Sequence, residues 1–249
     1  MPDDAAPQQQ PRFLVLGAVD ISGSAGAERL LSQPKLLTLL TYLMLSRRRG
    51  FQSRERVLSA FWPDQAEDRA RSSLRSALYS MRELVGADLI QRRGDDLGVD
   101  PTRFSCDAYE FTDALRDDRL ALALELYRGP LLEGCHPDTA ELQHWLDEER
   151  EHYRALAADA AWSLAERYES RDADLTSAAR WARRAARLAR ADERRIRRVM
   201  SLLERAGDAA GAIAVFEDFA RFLERELELK PSEETEALAL AIRERRVLP

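Results

Sequence analysis

Residues 68–85 form an amphipathic pattern whose polar side carries groups that can contact DNA. At about 100° per residue, one helical face collects apolar side chains, namely Ala70, Leu74, Ala77, Leu78, Met81 and Val85. The other sides carry arginines, serines and a phenol, among them Arg69, Arg71, Ser72, Arg75, Ser76, Tyr79 and Arg82. Guanidinium forks and hydroxyls suit the edges of a DNA groove. The same pattern is typical of a solvated surface helix, so the neighbouring segments must decide between the two interpretations.

The sequence carries no motif that would make an enzyme, a cofactor site or a metal site. It has no GxSxG and no HExxH motif, and the SGSAG stretch at 22–26 lacks the GK[ST] that completes a phosphate loop. Cys106 and Cys135 are too few for a disulfide framework, and without a CxxC pair they do not match a zinc-binding pattern. An enzyme is therefore the weakest of the hypotheses, and we expect neither a cofactor nor a metal.

Charge is unevenly distributed along the 249 residues. Residues 12–105 contain 15 Lys+Arg against 11 Asp+Glu, whereas residues 106–249 contain 23 against 31. A basic half is a pointer to nucleic-acid contact. No apolar run approaches the roughly 20 residues of a membrane span, and residues 1–11 lack the features of a signal peptide. We expect a cytoplasmic protein that does not contact membranes, with a disordered leader over residues 1–11.

Two segments near the N-terminus predict a small antiparallel sheet. The run FLVLGAVDI at 13–21 is rich in β-forming residues, and ERLLS at 28–32 can pair back across the SGSAG turn. We expect two to four short strands here.

Two helical patterns follow this sheet. Pro34 suits the first turn of a helix with an apolar face that ends near Arg47. Ser53 can N-cap a second, short helix that stops before Pro63. Both helices offer the apolar surface on which a third could pack.

The third helix is followed directly by a hairpin pattern. Asp64, with Glu67 three residues later, resembles a capping box before residues 68–85. Residues 87–100 hold two short β-capable runs around Gly94, which can adopt the positive φ of a tight turn. Strands, three helices and a hairpin are the order of a winged helix, in which the helix before the hairpin is the recognition helix. We therefore predict that residues 68–85 are the recognition helix.

From Asp107 onward the sequence shows only helical patterns, at about 107–118, 119–129, 140–171, 175–190, 192–206, 208–228 and 232–246. The later helices pair in a way similar to the roughly 34-residue tetratricopeptide repeat, with Ala212, Phe216 and Ala220 in the second helix of a unit. The expected fold is mainly α with a small α+β domain. Residues 12–104 would form a winged helix-turn-helix with an N-terminal antiparallel sheet, and residues 105–249 an all-α tetratricopeptide-like domain.

These motifs together resemble a known family. The runs QPKLLTLLTYLML, SRERVLSAFWPD, ARSSLRSALYSMRELVG and VDPTRFSCDAYEF are similar to the DNA-binding half of the Streptomyces antibiotic regulatory protein family. The runs LALELYRGPLLEG and AIAVFEDFARFLERELELKPSEET look like the bacterial transcriptional activator domain of the same proteins. The resemblance spans about residues 12–246. It implies a response-regulator-type winged helix fused to a helical domain, in a transcriptional activator.

The same resemblance implies partners and site residues. It implies binding of double-stranded DNA as a homodimer or higher oligomer on promoter repeats, and contact with RNA polymerase. The third helix would lie in the major groove, with Arg69 on one flank and with the base or phosphate contacts made by Arg71, Ser72, Arg75, Ser76 and Tyr79. The remaining contacts would be to phosphates, from Arg82, from Ser53 and Arg54, and from Arg92 or Arg93 in the wing.

Two observations limit this assignment. Asp95 and Asp96 at the tip of the wing would repel phosphates, which counts against insertion of the wing into the minor groove. A winged helix can also bind protein, so an adaptor built on helical repeats is the alternative function. The arginines on the outer side of residues 68–85 favour DNA, whereas an apolar patch would have favoured a protein partner.

Overall fold

The computed structural model describes residues 10–45, 50–170, 173–189 and 191–247. Its residues form two compact units. The first contains the described residues up to Asp113 together with Leu126–Glu151, and the second contains Ala114–Glu125 together with the residues from His152 onward. Residues 1–9 of the predicted disordered leader, and Arg47, near which the first predicted helix was expected to end, lie outside the described residues. The predicted division of the chain at residue 105 stays a prediction.

The N-terminal sheet is mixed and has three strands. Strand β1 (Arg12–Leu14) pairs antiparallel with β2 (Asp20–Ser22), and it pairs parallel with β6 (Ser105–Cys106) on its other edge. The prediction of a strand at 28–32 was wrong, because these residues lie in helix α1 (Ala27–Leu31) and the turn after it. In this helix Leu30 is fully buried, whereas Glu28 and Arg29 before it are both exposed. In a half-buried strand, buried and exposed residues would alternate.

Three further helices build the core of the first unit. They are α2 (Pro34–Leu45), α3 (Arg54–Phe61) and α4 (Glu67–Val85). The predicted cap of α3 is confirmed, since the Ser53 hydroxyl oxygen accepts a hydrogen bond from the Arg56 N–H at 3.4 Å. The predicted capping box of α4 was wrong: Ala66 is the N-cap residue and no side chain caps the helix. Glu67 instead pairs with Arg71 one turn further on.

The predicted hairpin is confirmed and forms a second sheet. Strand β5 (Asp96–Val99) lies between β4 (Ile90–Arg93) and β3 (Gln52–Ser53), and both pairings are antiparallel. Gly94 turns the hairpin at φ +60°, a value that a residue with a side chain rarely adopts. The wing is therefore attached to the segment that immediately precedes α3.

A buried carboxylate ties the N-terminal strand to the second half of the sequence. Asp107 begins helix α5 (Asp107–Arg116) and is 1% exposed. Its carboxylate oxygens accept hydrogen bonds from the N–H groups of Val15 at 2.8 Å and Leu16 at 3.1 Å, and from the Arg128 guanidinium at 3.1 Å. Burial raises the pKa of Asp107, although the two backbone N–H groups and Arg128 act in the opposite direction.

The connector after α6 (Leu120–Leu126) completes the first unit. The Leu132 N–H donates to the Val15 carbonyl at 2.8 Å, so the connector runs beside β1. Arg150 donates to the carbonyl oxygens of Leu131, Leu132 and Cys135, each at 2.9 Å. This arginine belongs to α7 (Ala140–Ser170), whose residues up to Glu151 are part of the first unit.

The second unit is a series of helices that pack against their sequence neighbours. After the remainder of α7 come α8 (Leu175–Leu188), α9 (Glu193–Arg205), α10 (Ala209–Phe222) with a π-helical turn at Leu223–Leu227, and α11 (Glu233–Val247). Asp174, Asp192 and Asp208 each cap the next helix by accepting from the N–H three residues later. The predicted fold class, mainly helical with a small α+β part, is confirmed. Among the described residues no helix is both long and apolar enough to cross a membrane.

We predict that Asp107→Ala destabilises the first unit. The substitution leaves the buried N–H groups of Val15 and Leu16 without an acceptor, at a cost of about 1–3 kcal/mol each. The free energy of unfolding, measured by urea denaturation at pH 7, should fall by about 2–4 kcal/mol. The matched control is Asp117→Ala, which removes an exposed carboxylate that forms an ion pair with Arg119 and should cost under about 1 kcal/mol. Equal losses for the two variants would contradict the role of Asp107.

Candidate nucleic-acid interface

Helix α4 is held in one orientation by its apolar stripe. Ala70, Leu74, Ala77, Leu78, Met81, Leu84 and Val85 are all buried, and Leu74 and Met81 are completely inaccessible. Rotation of the helix about its axis would expose this stripe, and burying a single large apolar side chain stabilises by about 1.5–3 kcal/mol. The side that faces the solvent is therefore fixed by the core.

The last turn of α4 is also fixed by the N-terminal segment. A Cβ atom at Gly26 would lie 2.4 Å from the carbonyl oxygen of Leu84, which no real contact allows. The Ser24 hydroxyl donates to the same carbonyl. The turn before α1 thus sits directly on the end of α4, in a place that only glycine can occupy.

The solvent-facing side of α4 carries the predicted contact residues. Six of them are exposed, namely Arg69, Arg71, Ser72, Arg75, Ser76 and Tyr79, and Arg82 is half-buried. Tyr79 is 65% exposed, an unusual position for a large aromatic side chain. It lies near the centre of this side, where it can contact a partner without a rearrangement of the helix.

The exposed side of α4 carries both arginines, which favour an anionic partner, and carboxylates, which oppose one. Arg71 pairs with Glu67, and Asp68 and Glu83 are exposed on the same helix. Surface pairs four residues apart on a helix contribute only about 0.3–0.5 kcal/mol, so a phosphate can displace Glu67 from Arg71 at little cost. Within the described part of the chain, Arg75 has no carboxylate partner. Its guanidinium is therefore available to a ligand.

The remaining predicted residues form a second group at the wing. Ser53 lies opposite Asp96 in the sheet, and the Arg54 N–H donates to the Asp95 carbonyl at 3.1 Å. Arg93 also lies opposite Asp96, and its neighbour Arg92 is exposed. The structure therefore brings Ser53, Arg54, Arg92 and Arg93 together at one end of the wing sheet.

Arg93 is oriented by an aromatic ring. Its guanidinium carbon lies 4.2 Å from the centre of the Phe51 ring, a cation–π geometry. A Cβ atom at Gly98 would come within 3.0 to 3.2 Å of the Phe51 ring, so the glycine leaves room for this ring on the sheet. Asp95 is exposed and Asp96 half-buried beside these cations, so the tip of the wing carries both signs of charge.

Lys35 and Trp62 also lie beside α4, although the sequence did not predict it. They line a groove of about 450 Å³ between α2 and α4, together with Arg69, Ser72 and Ser76 of the predicted set. The Lys35 ammonium lies 5.2 Å from the centre of the Trp62 ring. The one signal in the sequence is Pro34, which places Lys35 in the first turn of α2. No local pattern shows that this turn lies beside α4.

The described residues offer few groups for metal binding or nucleophilic catalysis. Among them, no group of three or more His, Cys, Asp or Glu side chains could hold a metal ion. Cys106 and Cys135 are free thiols, and burial raises the pKa of Cys106 to about 12. A thiol with so high a pKa stays protonated at neutral pH and is a poor nucleophile.

Comparison with known proteins places the chain in a family. The model of the bacterial transcriptional activator domain matches residues 105–243. No curated protein sequence matches the chain. A solved structure of Mycobacterium tuberculosis EmbR in complex with a low affinity phosphopeptide is similar, with a TM-score of 0.59 and 16% sequence identity. The similarity covers 96% of this chain and 66% of that one.

At this identity the EmbR structure shows a shared fold, and the chain spans just under two thirds of its length. The family model, in contrast, covers more than half of the present chain. The protein therefore belongs to the family defined by the bacterial transcriptional activator domain.

Proposed function

We propose that the protein binds double-stranded DNA at specific sequences through α4 and activates transcription there. The observation that carries this proposal is the exposed side of α4, where arginines, serines and a tyrosine stand on a helix that the core holds in one orientation. A helix of this width fits the major groove, in which each base pair presents a distinct set of donors and acceptors.

Base contacts and phosphate contacts would come from different side chains. Ser72, Arg75, Ser76 and Tyr79 stand furthest from the core and would face the base edges. Arg71 and Arg82 lie on one flank of α4, where the sugar–phosphate backbone passes a helix that lies in the major groove. Phosphate contacts would supply most of the affinity and make it depend on salt, whereas the base contacts would select the sequence.

The wing would contact the backbone and stay out of the minor groove. Arg93 is oriented by Phe51, and the neighbouring Arg92 is exposed, so both can meet phosphates. Asp95 and Asp96 at the same end of the sheet would repel phosphates on both sides of a narrow minor groove. Ser53 would contribute at the start of α3, where helix N–H groups favour an anion.

The second unit would connect DNA binding to transcription. We propose that it contacts RNA polymerase and that the protein binds promoter repeats as a homodimer or higher oligomer, as the resemblance to the Streptomyces antibiotic regulatory protein family implies. Stacked helix pairs provide extended surfaces for such protein contacts. Action at promoters would place the protein in the cytoplasm.

Selection from random duplexes tests the proposal. The full chain is incubated with a pool of random-sequence duplex DNA at low salt, and the retained duplexes are amplified and sequenced. We expect one enriched motif after a few rounds, and its affinity should fall steeply as salt is raised. A pool without any enriched motif would overturn the proposal and favour the adaptor function, in which the winged helix binds protein.

We predict that Arg75→Ala weakens binding to the selected site and relaxes its specificity. If Arg75 donates to a guanine, its loss costs about 1–3 kcal/mol and makes all four bases nearly equivalent at one position. Competition titrations with single-base variants of the site measure both effects. The control is Arg103→Ala, which removes an exposed arginine from the connection between β5 and β6. Unchanged affinity for Arg75→Ala would show that α4 does not read this DNA.

A further inference from the structure

A groove lined by both polar and apolar side chains runs beside the exposed side of α4. One wall is the start of α2, with Gln33 and Lys35, and the other wall is α4, with Arg69, Ser72 and Ser76. Trp62, at the end of α3, also lines the groove and is 9% exposed. We call this site the α2–α4 groove.

The α2–α4 groove has the charge of an anion site. Lys35 and Arg69 are cations, and Ser72 and Ser76 offer hydroxyl donors. No Asp or Glu is among the described residues that line it, in contrast to the exposed side of α4, where three carboxylates are present. A negatively charged group that enters the groove therefore meets donors without a competing carboxylate.

Lys35 is held over an aromatic ring at the edge of this groove. Its ammonium lies 5.2 Å from the centre of the Trp62 ring, within the range of a cation–π interaction. The ring is nearly buried, so it keeps its place when the lysine binds a ligand. Lys35 also occupies the first turn of α2, where the helix dipole favours an anion.

The position of the groove matches the path of a DNA strand. A helix that lies in the major groove has a sugar–phosphate backbone on each of its two flanks. Arg71 and Arg82 lie on one flank of α4, whereas Arg69 and the α2–α4 groove lie on the other. Without the groove, the second DNA strand would pass a flank of α4 with a single cation. Among the described residues of α4, that cation is Arg69.

We infer that the α2–α4 groove binds a phosphodiester of the DNA backbone and that Lys35 is a phosphate contact of the protein. This inference rests on the proposed DNA binding and adds a residue and a strand contact to it. We assign a phosphodiester because the groove lies on the flank of α4 along which a DNA strand would pass, and its two free oxygens can accept from the ammonium and from the hydroxyls together. The contact is independent of sequence, since every nucleotide carries the same group.

The experiment is a salt titration of DNA binding by the full-length Lys35→Ala variant. Its affinity for the selected duplex at 0.1 M salt should be about three- to tenfold lower than that of the unsubstituted protein, with the same loss on a scrambled duplex. The plot of log K against log salt should lose about 0.9 of its slope, the value of one phosphate contact. A purely structural role of Lys35 would leave this slope unchanged.

Three controls separate the possible outcomes. Lys35→Arg keeps the charge and should retain both affinity and slope, whereas Arg103→Ala removes a charge outside the groove and should change neither. Thermal unfolding of each variant shows whether the fold is preserved. A Lys35→Ala variant with the slope and affinity of the unsubstituted protein overturns the inference while DNA binding stands. Failure of the unsubstituted protein to bind any duplex at low salt overturns the proposed function itself.

Discussion

The buried carboxylate of Asp107 connects the segments on which the rest of the first unit depends. It accepts hydrogen bonds from two consecutive N–H groups directly after β1, at the start of a helix that lies about 90 residues later in the chain. Strand β1 is held in this way beside β6 and the connector, and it carries β2 on its other edge. The chain then reaches Gly26 and α1, which sit on the last turn of α4. The orientation of α4 is therefore set partly by a contact from the other half of the sequence.

These contacts explain why the match to the bacterial transcriptional activator domain begins within the first unit. The family match starts at residue 105, and Asp107, Arg128 and Arg150 all lie inside it. Asp107 accepts from Val15 and Leu16, and the Leu132 N–H, in the connector that Arg150 holds, donates to the Val15 carbonyl. The two halves of the sequence thus share a core, and the exposed side of α4 is built on both.

The DNA-facing residues could be predicted from the sequence because they follow from local periodicity. The apolar stripe of α4 predicts which of its side chains are exposed, and Gly94 between two β-capable runs predicts the hairpin. Residues whose role depends on tertiary contacts were not predictable. The segment 28–32 was expected to pair back as a strand, yet it is part of α1, which packs against α2 and α4 and buries Leu30. Lys35 stands beside α4 only because α2 and α4 pack together, which no spacing in the sequence reveals. Asp64 has the residue type and spacing of a cap, but the helix starts after Ala66 and leaves it outside.

Tyr79 offers the most direct test of the central claim that α4 faces DNA. It is a reactive aromatic side chain, 65% exposed, near the centre of the proposed contact side. Hydroxyl-radical footprinting with mass spectrometry measures its oxidation rate in the free protein and with saturating duplex. The account predicts a several-fold fall in the oxidation of Tyr79 when DNA is bound, with the exposed Leu229 as an internal reference in the second unit. An unchanged oxidation rate of Tyr79 in a protein that is fully bound to DNA would contradict it.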